Sequence, residues 1–265
     1  KLKIPIMIKV HFRVNKALMW RTAQYSDRVI FESEYCRKLF VSEYGIKPER
    51  TEVIRIGKDN FFYPEIVEAN EFEVNGIYIK KPFILCVSHL YEYKNYERLI
   101  EAFSKAKKNF PKGTTLVIAG SIINQLYYQN ILQTIKRYGC ESDVVYIGLV
   151  NKEDLRLLYS NCRVFVFPSP VETIGIILVE AMSCGAPIVT SNTTSMPETC
   201  WDAAMYFDPT EVTDIANAMV DVANDEGVRS KLSRASLARA EQFPNYAEVN
   251  QRTAEIIKEL ARGTK

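Results

Sequence analysis

The sequence predicts an α/β fold built around a doubly wound, mostly parallel β-sheet. Short apolar segments alternate with amphipathic helical segments along most of the 265 residues. This alternation is typical of a parallel sheet covered by helices on both faces. The apolar segments are rich in Val, Ile, Leu and Phe and are bounded by Gly, Pro, Asn or Asp, as strands usually are. The predicted strands of the main sheet are 82–88, 114–119, 143–147, 163–167, 187–190 and 204–207.

The helices between these strands are predicted from apolar residues that recur on one helical face. One such face carries Leu99, Ile100, Phe103, Ala106 and Phe110. Before residue 60 the pattern changes, and the sequence predicts strands over 4–10, 28–31 and 50–54, with helices over about 16–26 and 33–44. A last helix is predicted over 246–260.

The composition is that of an ordinary globular protein, with 47% apolar and 25% charged residues. A net charge of only +2 gives no reason to expect a nucleic-acid partner. The six cysteines form no C-x-x-C pair, which favours free thiols in a reducing compartment. We therefore expect a cytoplasmic protein, with the inner face of a membrane as a second location.

Positive charge is concentrated near the beginning of the sequence. Residues 1–28 carry seven Lys or Arg and one acid, a net +6 against −4 for the rest. Apolar residues such as Met19 and Trp20 lie between these charges. Such an edge could contact an anionic membrane surface peripherally. The alternative interpretation is a buried strand over 4–10 followed by a solvated helix.

The segment 168–187, PSPVETIGIILVEAMSCGAP, carries the strongest indication of chemistry. It follows an apolar strand, enters a helix and ends at a Gly-Ala-Pro stop signal. Open α/β sheets bind ligands where strands end and helices begin, and the first N–H groups of a helix suit a phosphate. Glu172 and Glu180 lie roughly two helical turns apart, and carboxylates are better matched to neutral hydroxyls than to a phosphate. Together they indicate a sugar nucleotide.

This segment resembles the signature of the retaining glycosyltransferases of family 4, which have the two-domain GT-B fold. Ile174 stands where the family usually has an aromatic residue, while both glutamates and Gly175 keep their places. Segments 83–95 and 203–209 resemble the first and last strands of the family's Rossmann-like donor domain. The similarity extends over about residues 53–243.

The resemblance implies roles for individual residues. Glu180 would bind the ribose hydroxyls, and Glu172 would bind hydroxyls of the donor sugar. Lys94 would stabilise the diphosphate. His89 takes the place of a common family arginine, and a histidine is often neutral near neutral pH. Lys94 would then carry more of the leaving-group charge alone.

Further contacts are implied by the same resemblance. His11 would lie near the transferred sugar, at the end of the strand predicted over 4–10. Val150, in a loop after a strand, would meet the nucleobase. The backbone N–H groups near the motif's centre would approach the sugar and diphosphate; these residues are Thr173, Ile174, Gly175 and Ile176.

The family also implies a domain division. Residues 1–60 would be the end of an N-terminal acceptor domain, residues 61–243 the donor domain, and residues 244–265 a helix that crosses back to the N-terminal part. The earlier strands and the Gly-rich loop of the family's N-terminal domain do not occur in the sequence. The chain is therefore expected to be a truncated glycosyltransferase, with a partial N-terminal α/β domain followed by a complete donor domain. In this truncated form it could be inactive.

The expected function is transfer of a hexosyl group from a nucleotide-diphosphate sugar to a glycan or lipid-linked acceptor, with retention of configuration. No cofactor or metal is expected, since the sequence has no Asp-x-Asp triplet and only two histidines. A glycosidase-like nucleophile role for Glu172 is a weaker interpretation. Two further hypotheses stay open: a non-catalytic nucleotide-sugar-binding fragment, and a GT-B epimerase or phosphorylase.

Overall fold

The computed structural model describes residues 6–263, and the side chains of residues 15–262. Its centre is a six-stranded sheet in the order β10-β9-β8-β5-β6-β7, in which every pairing is parallel. The strands are β5 (Phe83–Val87), β6 (Thr115–Ala119), β7 (Val144–Tyr146), β8 (Val164–Phe167), β9 (Ile188–Ser191) and β10 (Ala204–Phe207). All six lie within a residue of their predicted positions. The doubly wound parallel sheet is confirmed.

Two apolar cores lie on opposite faces of this sheet, because successive strand residues point to opposite sides. In β5, Leu85 belongs to one core, and Ile84 and Cys86 belong to the other. The covering helices are α3 (Tyr96–Ala106), α4 (Gln125–Arg137), α5 (Lys152–Asn161), α6 (Ile176–Ser183), α7 (Met196–Cys200), α8 (Val212–Asn224) and α9 (Glu226–Ala240). The core of the protein therefore consists of two helical layers with one sheet between them.

The N-terminal part is a smaller unit with its own core. It contains α1 (Ile6–Tyr25), β1 (Val29–Phe31), α2 (Glu34–Tyr44) and β2 (Thr51–Val53), and β1 pairs with β2 in parallel. Ala23, Phe31 and Ile46 form its buried centre. The last helix, α10 (Tyr246–Gly263), contacts this part through Arg252, whose Nε donates to Glu52 Oε1 at 2.7 Å.

Two features differ from the sequence-based expectation. The strand predicted over 4–10 is wrong, because residues 6–10 belong to helix α1. A strand needs a neighbour for its N–H and C=O groups, whereas a helix satisfies them within itself, and among the described residues β1 pairs only with β2. The hairpin β3 (Glu71–Val74) and β4 (Ile77–Lys80) was not predicted.

A close approach at Gly120 brings two loops to the same edge of the sheet. Gly120 follows β6 with a φ of +146°, and a Cβ on it would lie 1.9 Å from the carbonyl oxygen of Ser88. Only glycine allows this contact. The loops after β5 and β6 therefore begin side by side.

We expect Gly120→Ala to lower the free energy of unfolding by about 3 kcal/mol or more, since the methyl group would overlap a buried backbone carbonyl. Urea unfolding would measure the loss. Gly113→Ala is the matched control: Gly113 also has a positive φ, +83°, but a Cβ there meets nothing within 4 Å. Gly113→Ala should lower the free energy of unfolding by only about 1 kcal/mol, because alanine is unfavourable at a positive φ. Equal losses for the two variants would contradict the steric explanation.

Candidate functional site

The site lies where the strand order of the sheet reverses. Chain order runs outward from β5 through β6 and β7 on one side, and from β8 through β9 and β10 on the other. The crevice between β5 and β8 is therefore the topological switch point, where open α/β sheets bind their ligands. The loop after β5 carries Lys94, and the loop after β8 carries Glu172.

Lys94 and Glu172 meet across this crevice. The Lys94 ammonium forms an ion pair with Glu172 Oε1, and the two side chains are only 10% and 15% exposed. The ammonium also lies over the rings of Tyr93 and Phe167, 4.8 Å and 5.3 Å from their centroids. Rings of this kind attract a cation. A largely desolvated lysine is thus presented at the switch point with one carboxylate as its partner.

The backbone around Lys94 is fixed by the next residue. Asn95 has a φ of +66° and is buried. Its Nδ2 donates to the carbonyl of Pro168 at 3.1 Å and to that of Pro209 at 2.8 Å. The loop of Lys94 is thereby tied to the loop of Glu172 as well as to the loop after β10.

The loop of Glu172 is held through its carbonyl groups. Side-chain donors reach eight consecutive carbonyls, those of Phe167–Ile174. Because the C=O and N–H of one peptide unit point in opposite directions, fixing the carbonyls also fixes the N–H directions. Taken in the order of the carbonyls that they reach, from residue 167 to residue 174, the donors are Thr190, Asn95, Ser191, Thr193, Ser169, Ser195, Ser33 and Thr199.

This loop leads directly into helix α6. Ile174 is buried, 5% exposed, and packs into the core, so the position where the family has an aromatic residue serves packing here. Gly175 has a φ of +72°, and a Cβ on it would lie 3.0 Å from Leu178 Cδ1. Thr173 is exposed, and Ile176 is half-buried at the start of the helix. The first N–H groups of α6 therefore begin beside Glu172.

Glu180 lies in the second half of α6. Its Oε2 accepts a hydrogen bond from the Tyr159 hydroxyl at 3.2 Å. Burial raises the pKa of Glu180 to about 7, while the Tyr159 hydrogen bond and the charge of Lys152 act in the opposite direction. Tyr159 itself is fully buried. The carboxyl group is thus poised between its neutral and ionised forms near neutral pH.

The loop predicted to meet a nucleobase is supported by the unpredicted hairpin. Asn75, in the turn between β3 and β4, donates its Nδ2 to the carbonyls of Ile147 and Leu149 at 3.0 Å and 2.9 Å. Val150 is buried, 8% exposed, whereas Leu149 is 67% exposed. Sequence analysis missed Asn75; its Asn-Gly dipeptide between apolar residues is the signal that could have found it.

The two histidines predicted to serve the site lie in different parts of the chain. His89 is exposed at the end of β5, next to the Gly120 approach. Residue 11 lies within helix α1, so the prediction that His11 follows a strand is wrong; its side chain lies outside the described residues. In the part of the chain that the structure describes, no group of three or more His, Cys, Asp or Glu side chains could hold a metal ion.

The N-terminal part contacts the site loop through the start of α2. Ser33, the N-cap of α2, donates its hydroxyl to the Thr173 carbonyl at 2.7 Å. In return, Glu198 accepts the backbone N–H groups of Glu34 and Tyr35, both at 2.8 Å. Glu198 therefore caps a helix that is distant from it in sequence.

Glu180 gives the site a measurable pH dependence. Its pKa in the folded protein, about 7, lies above the usual glutamate value of 4.5, so folding favours the neutral form. This stabilisation is fully present below about pH 4.5 and is lost as pH rises through about 7. We expect Glu180→Gln to become more stable than the native protein with increasing pH, by roughly 2–3 kcal/mol at pH 8.

Thermal or urea unfolding from about pH 5 to pH 8 would measure this difference. Glu141→Gln, at an exposed position, is the control and should show no such trend. A constant difference between Glu180→Gln and the native protein across this range would contradict the buried, titrating carboxyl group.

Sequence comparison identifies the relatives of this chain. Residues 67–239 match the family described as glycosyl transferases group 1. The O-antigen chain mannosyltransferase B of Escherichia coli is 30% identical over 241 residues, covering 83% of this chain and 60% of that protein. The serotype-specific mannosyltransferase WbdA of Escherichia coli is 35% identical over 163 residues, which cover 61% of this chain and 20% of that protein. The matched part of the chain therefore spans less than two thirds of the length of these relatives.

Solved structures agree on the fold. Sucrose-phosphate synthase from Thermosynechococcus elongatus superimposes with a TM-score of 0.78 at 21% identity, over 93% of this chain and 61% of that chain. HepE of Anabaena, solved in complex with UDP-glucose, gives a TM-score of 0.75 at 21% identity, over 90% of this chain and 65% of that chain. The sheet, the motif and these relatives together establish that the chain belongs to the glycosyl transferases group 1 family and has the GT-B type of fold.

Proposed function

We propose that this chain binds a nucleotide-diphosphate sugar in the crevice between β5 and β8, as the donor site of a hexosyltransferase. The observation that carries the proposal is the buried pair of Lys94 and Glu172 at the switch point of the sheet. The pair supplies one cation for a diphosphate and one carboxylate for sugar hydroxyls. Glu180, further along α6, supplies a second carboxylate for the ribose.

Mannose is the sugar that the relatives favour. Four relatives at 30% identity or more are named mannosyltransferases. A further relative from Mycolicibacterium smegmatis, 25% identical over 222 residues, is named as a GDP-mannose-dependent mannosyltransferase. GDP-mannose is therefore the donor to test first. By the same reasoning the acceptor would be a growing glycan, free or attached to a lipid.

In the proposed transfer step, negative charge develops on the departing diphosphate. The bond between the anomeric carbon and the diphosphate oxygen breaks, and the acceptor oxygen forms a bond to that carbon on the same face. The acceptor proton passes to the departing phosphate oxygen, so no protein nucleophile is needed. Lys94 and the N–H groups at the start of α6 would stabilise the negative charge without a metal ion.

The ion pair implies an exchange of partners on binding. The Lys94 ammonium contacts the Glu172 carboxylate. A diphosphate carries more negative charge than one carboxylate, so Lys94 would turn to the phosphate and free Glu172 for the sugar hydroxyls. Donor binding would in this way prepare both side chains for their roles.

A second candidate is a donor-binding module without transferase activity, in which the same pair of Lys94 and Glu172 would bind the donor. The chain spans 60% of the E. coli mannosyltransferase B. Incubation of the chain with GDP-mannose and an oligosaccharide acceptor would distinguish the two. Binding of GDP-mannose without mannosyl transfer would support the module, and transfer would support the enzyme.

Peripheral membrane contact is a further part of the proposal, supported by helix α1. Leu18, Met19 and Trp20 are 57%, 44% and 50% exposed and lie between the basic residues of α1. Such a surface suits an anionic lipid headgroup region. No helix in the described part of the chain is long and apolar enough to cross a membrane.

Calorimetric binding of GDP and GMP would test the donor site directly. We expect Lys94→Met to weaken GDP binding about tenfold or more, since a charge-assisted hydrogen bond is lost, and to weaken GMP binding much less. Chelation of divalent metals by EDTA should leave GDP affinity unchanged.

Lys105→Met is the matched control for the loss of one positive charge. Lys105 is 59% exposed on α3 and pairs with Glu101 on the same helix, so its removal should not affect either ligand. Equal losses of GDP and GMP affinity in Lys94→Met would contradict a diphosphate contact. Absence of binding by GDP, UDP and ADP alike would overturn the proposed donor site.

A further inference from the structure

Tyr159 lies buried beside Glu180, the carboxylate proposed to bind the ribose. Its hydroxyl donates to Glu180 Oε2 at 3.2 Å, and its ring is fully buried. A fully buried ring cannot turn its hydroxyl away without opening the core around it. A carboxylate has about four acceptor positions, so one donor from the protein leaves capacity for the two hydroxyls of a ribose.

Two aromatic neighbours fix the Tyr159 ring. Phe165 of β8 lies edge-on at 5.3 Å between centroids. Phe62 lies at 6.0 Å, also edge-on, and is 5% exposed. Phe62 belongs to the connecting segment, defined here as residues 54–70, which joins β2 to β3. The hydroxyl is therefore positioned by the sheet and by the connecting segment together.

The connecting segment is fastened to helix α5, which carries Tyr159. Lys152 pairs with Asp59 at 2.6 Å, and Arg156 pairs with Glu65 at 2.6 Å. The Asn161 side chain donates to the Glu65 carbonyl and accepts from a backbone N–H of the segment. These contacts keep Phe62 against Tyr159.

Resting on the donor site proposed above, we propose that Tyr159 is the positioning residue of Glu180, and that Phe62 sets its place from the connecting segment. Tyr159 itself touches no part of the ligand in this assignment. It orients the carboxylate and favours its ionised form, which accepts stronger hydrogen bonds than the neutral acid does. The segment that joins the two parts of the chain is thereby coupled to the nucleotide contact.

The charged and titratable groups around Glu180 come from three parts of the chain: helix α5, the connecting segment and the end of α6. Tyr159 and Lys152 of α5 favour the ionised carboxyl, whereas Asp59 of the connecting segment opposes it. The thiol of Cys184, at the end of α6, also faces Glu180. Since burial disfavours ionisation most strongly, loss of the Tyr159 donor should raise the pKa of Glu180 further.

The test is Tyr159→Phe, which keeps the ring and removes only the hydroxyl. GDP binding is measured by calorimetry over about pH 5.5–8.5. We expect affinity at pH 7 to fall about tenfold, and the rise of affinity with pH to move to higher pH. Titration of the GDP phosphate is common to all variants and cancels in the comparison.

Tyr127→Phe is the matched control. Tyr127 is also buried, at 2% exposed, and belongs to the core on the opposite face of the sheet from Tyr159. Its removal should leave GDP affinity and its pH profile unchanged. The same affinity and pH profile in Tyr159→Phe as in the native protein would overturn the inference.

Unfolding of the ligand-free protein gives a second readout. Tyr159→Phe should move the pH dependence of stability to higher pH, and this shift should disappear when Glu180→Gln is also present. No shift would overturn the positioning role even if nucleotides bind. Failure of the native protein to bind any nucleotide, with the shift present, would overturn the proposed donor site but support the contact between Tyr159 and Glu180.

Discussion

The candidate site depends on one backbone constraint, the row of side-chain donors that fixes the loop between β8 and α6. Eight successive carbonyls of this loop accept hydrogen bonds from side chains. Each such bond contributes only about 1 kcal/mol, but together they leave the loop few alternative conformations. The protein itself thus holds Glu172 and the start of α6 in place, which is the preorganisation that the proposed electrostatic stabilisation would require.

The same constraint joins parts of the chain that are distant in sequence. One of the eight donors, Ser33, comes from the N-terminal part, and Asn95 comes from the loop that carries Lys94. Glu198, which follows the donor-rich strand β9, returns the contact by capping α2. The loop is therefore the point at which the N-terminal part, the Lys94 loop and α6 meet.

Much of the fold could be predicted from sequence because its signals are local. Strands buried on both faces are continuous apolar runs, and the motif around Glu172 marks the end of one of them. The reversal of strand order at β5 and β8, which brings Lys94 to Glu172, follows from the same alternation of elements. The partial N-terminal α/β unit was also anticipated, apart from its first element.

The remainder depends on contacts that no local pattern records. Residues 6–10 are mostly apolar, like a buried strand, but have no neighbouring strand among the described residues, and they form the beginning of α1. The Ser and Thr hydroxyls that hold the site loop look like ordinary loop and strand residues in the sequence. In the sequence Tyr159 looks like one more apolar residue of a helical segment, and only the tertiary structure places its hydroxyl on Glu180. Long-range polar contacts of this kind require the tertiary structure.

A crystal structure of the chain with bound GDP-mannose would show directly whether the fixed loop and the pair of Lys94 and Glu172 form the donor site. We expect the backbone of the loop between β8 and α6 to stay in place while the Lys94 ammonium leaves Glu172 and contacts the diphosphate. Glu172 would then contact the mannose hydroxyls, and Glu180 the ribose. Lys94 remaining on Glu172, with the nucleotide bound elsewhere or the loop rearranged, would contradict the account.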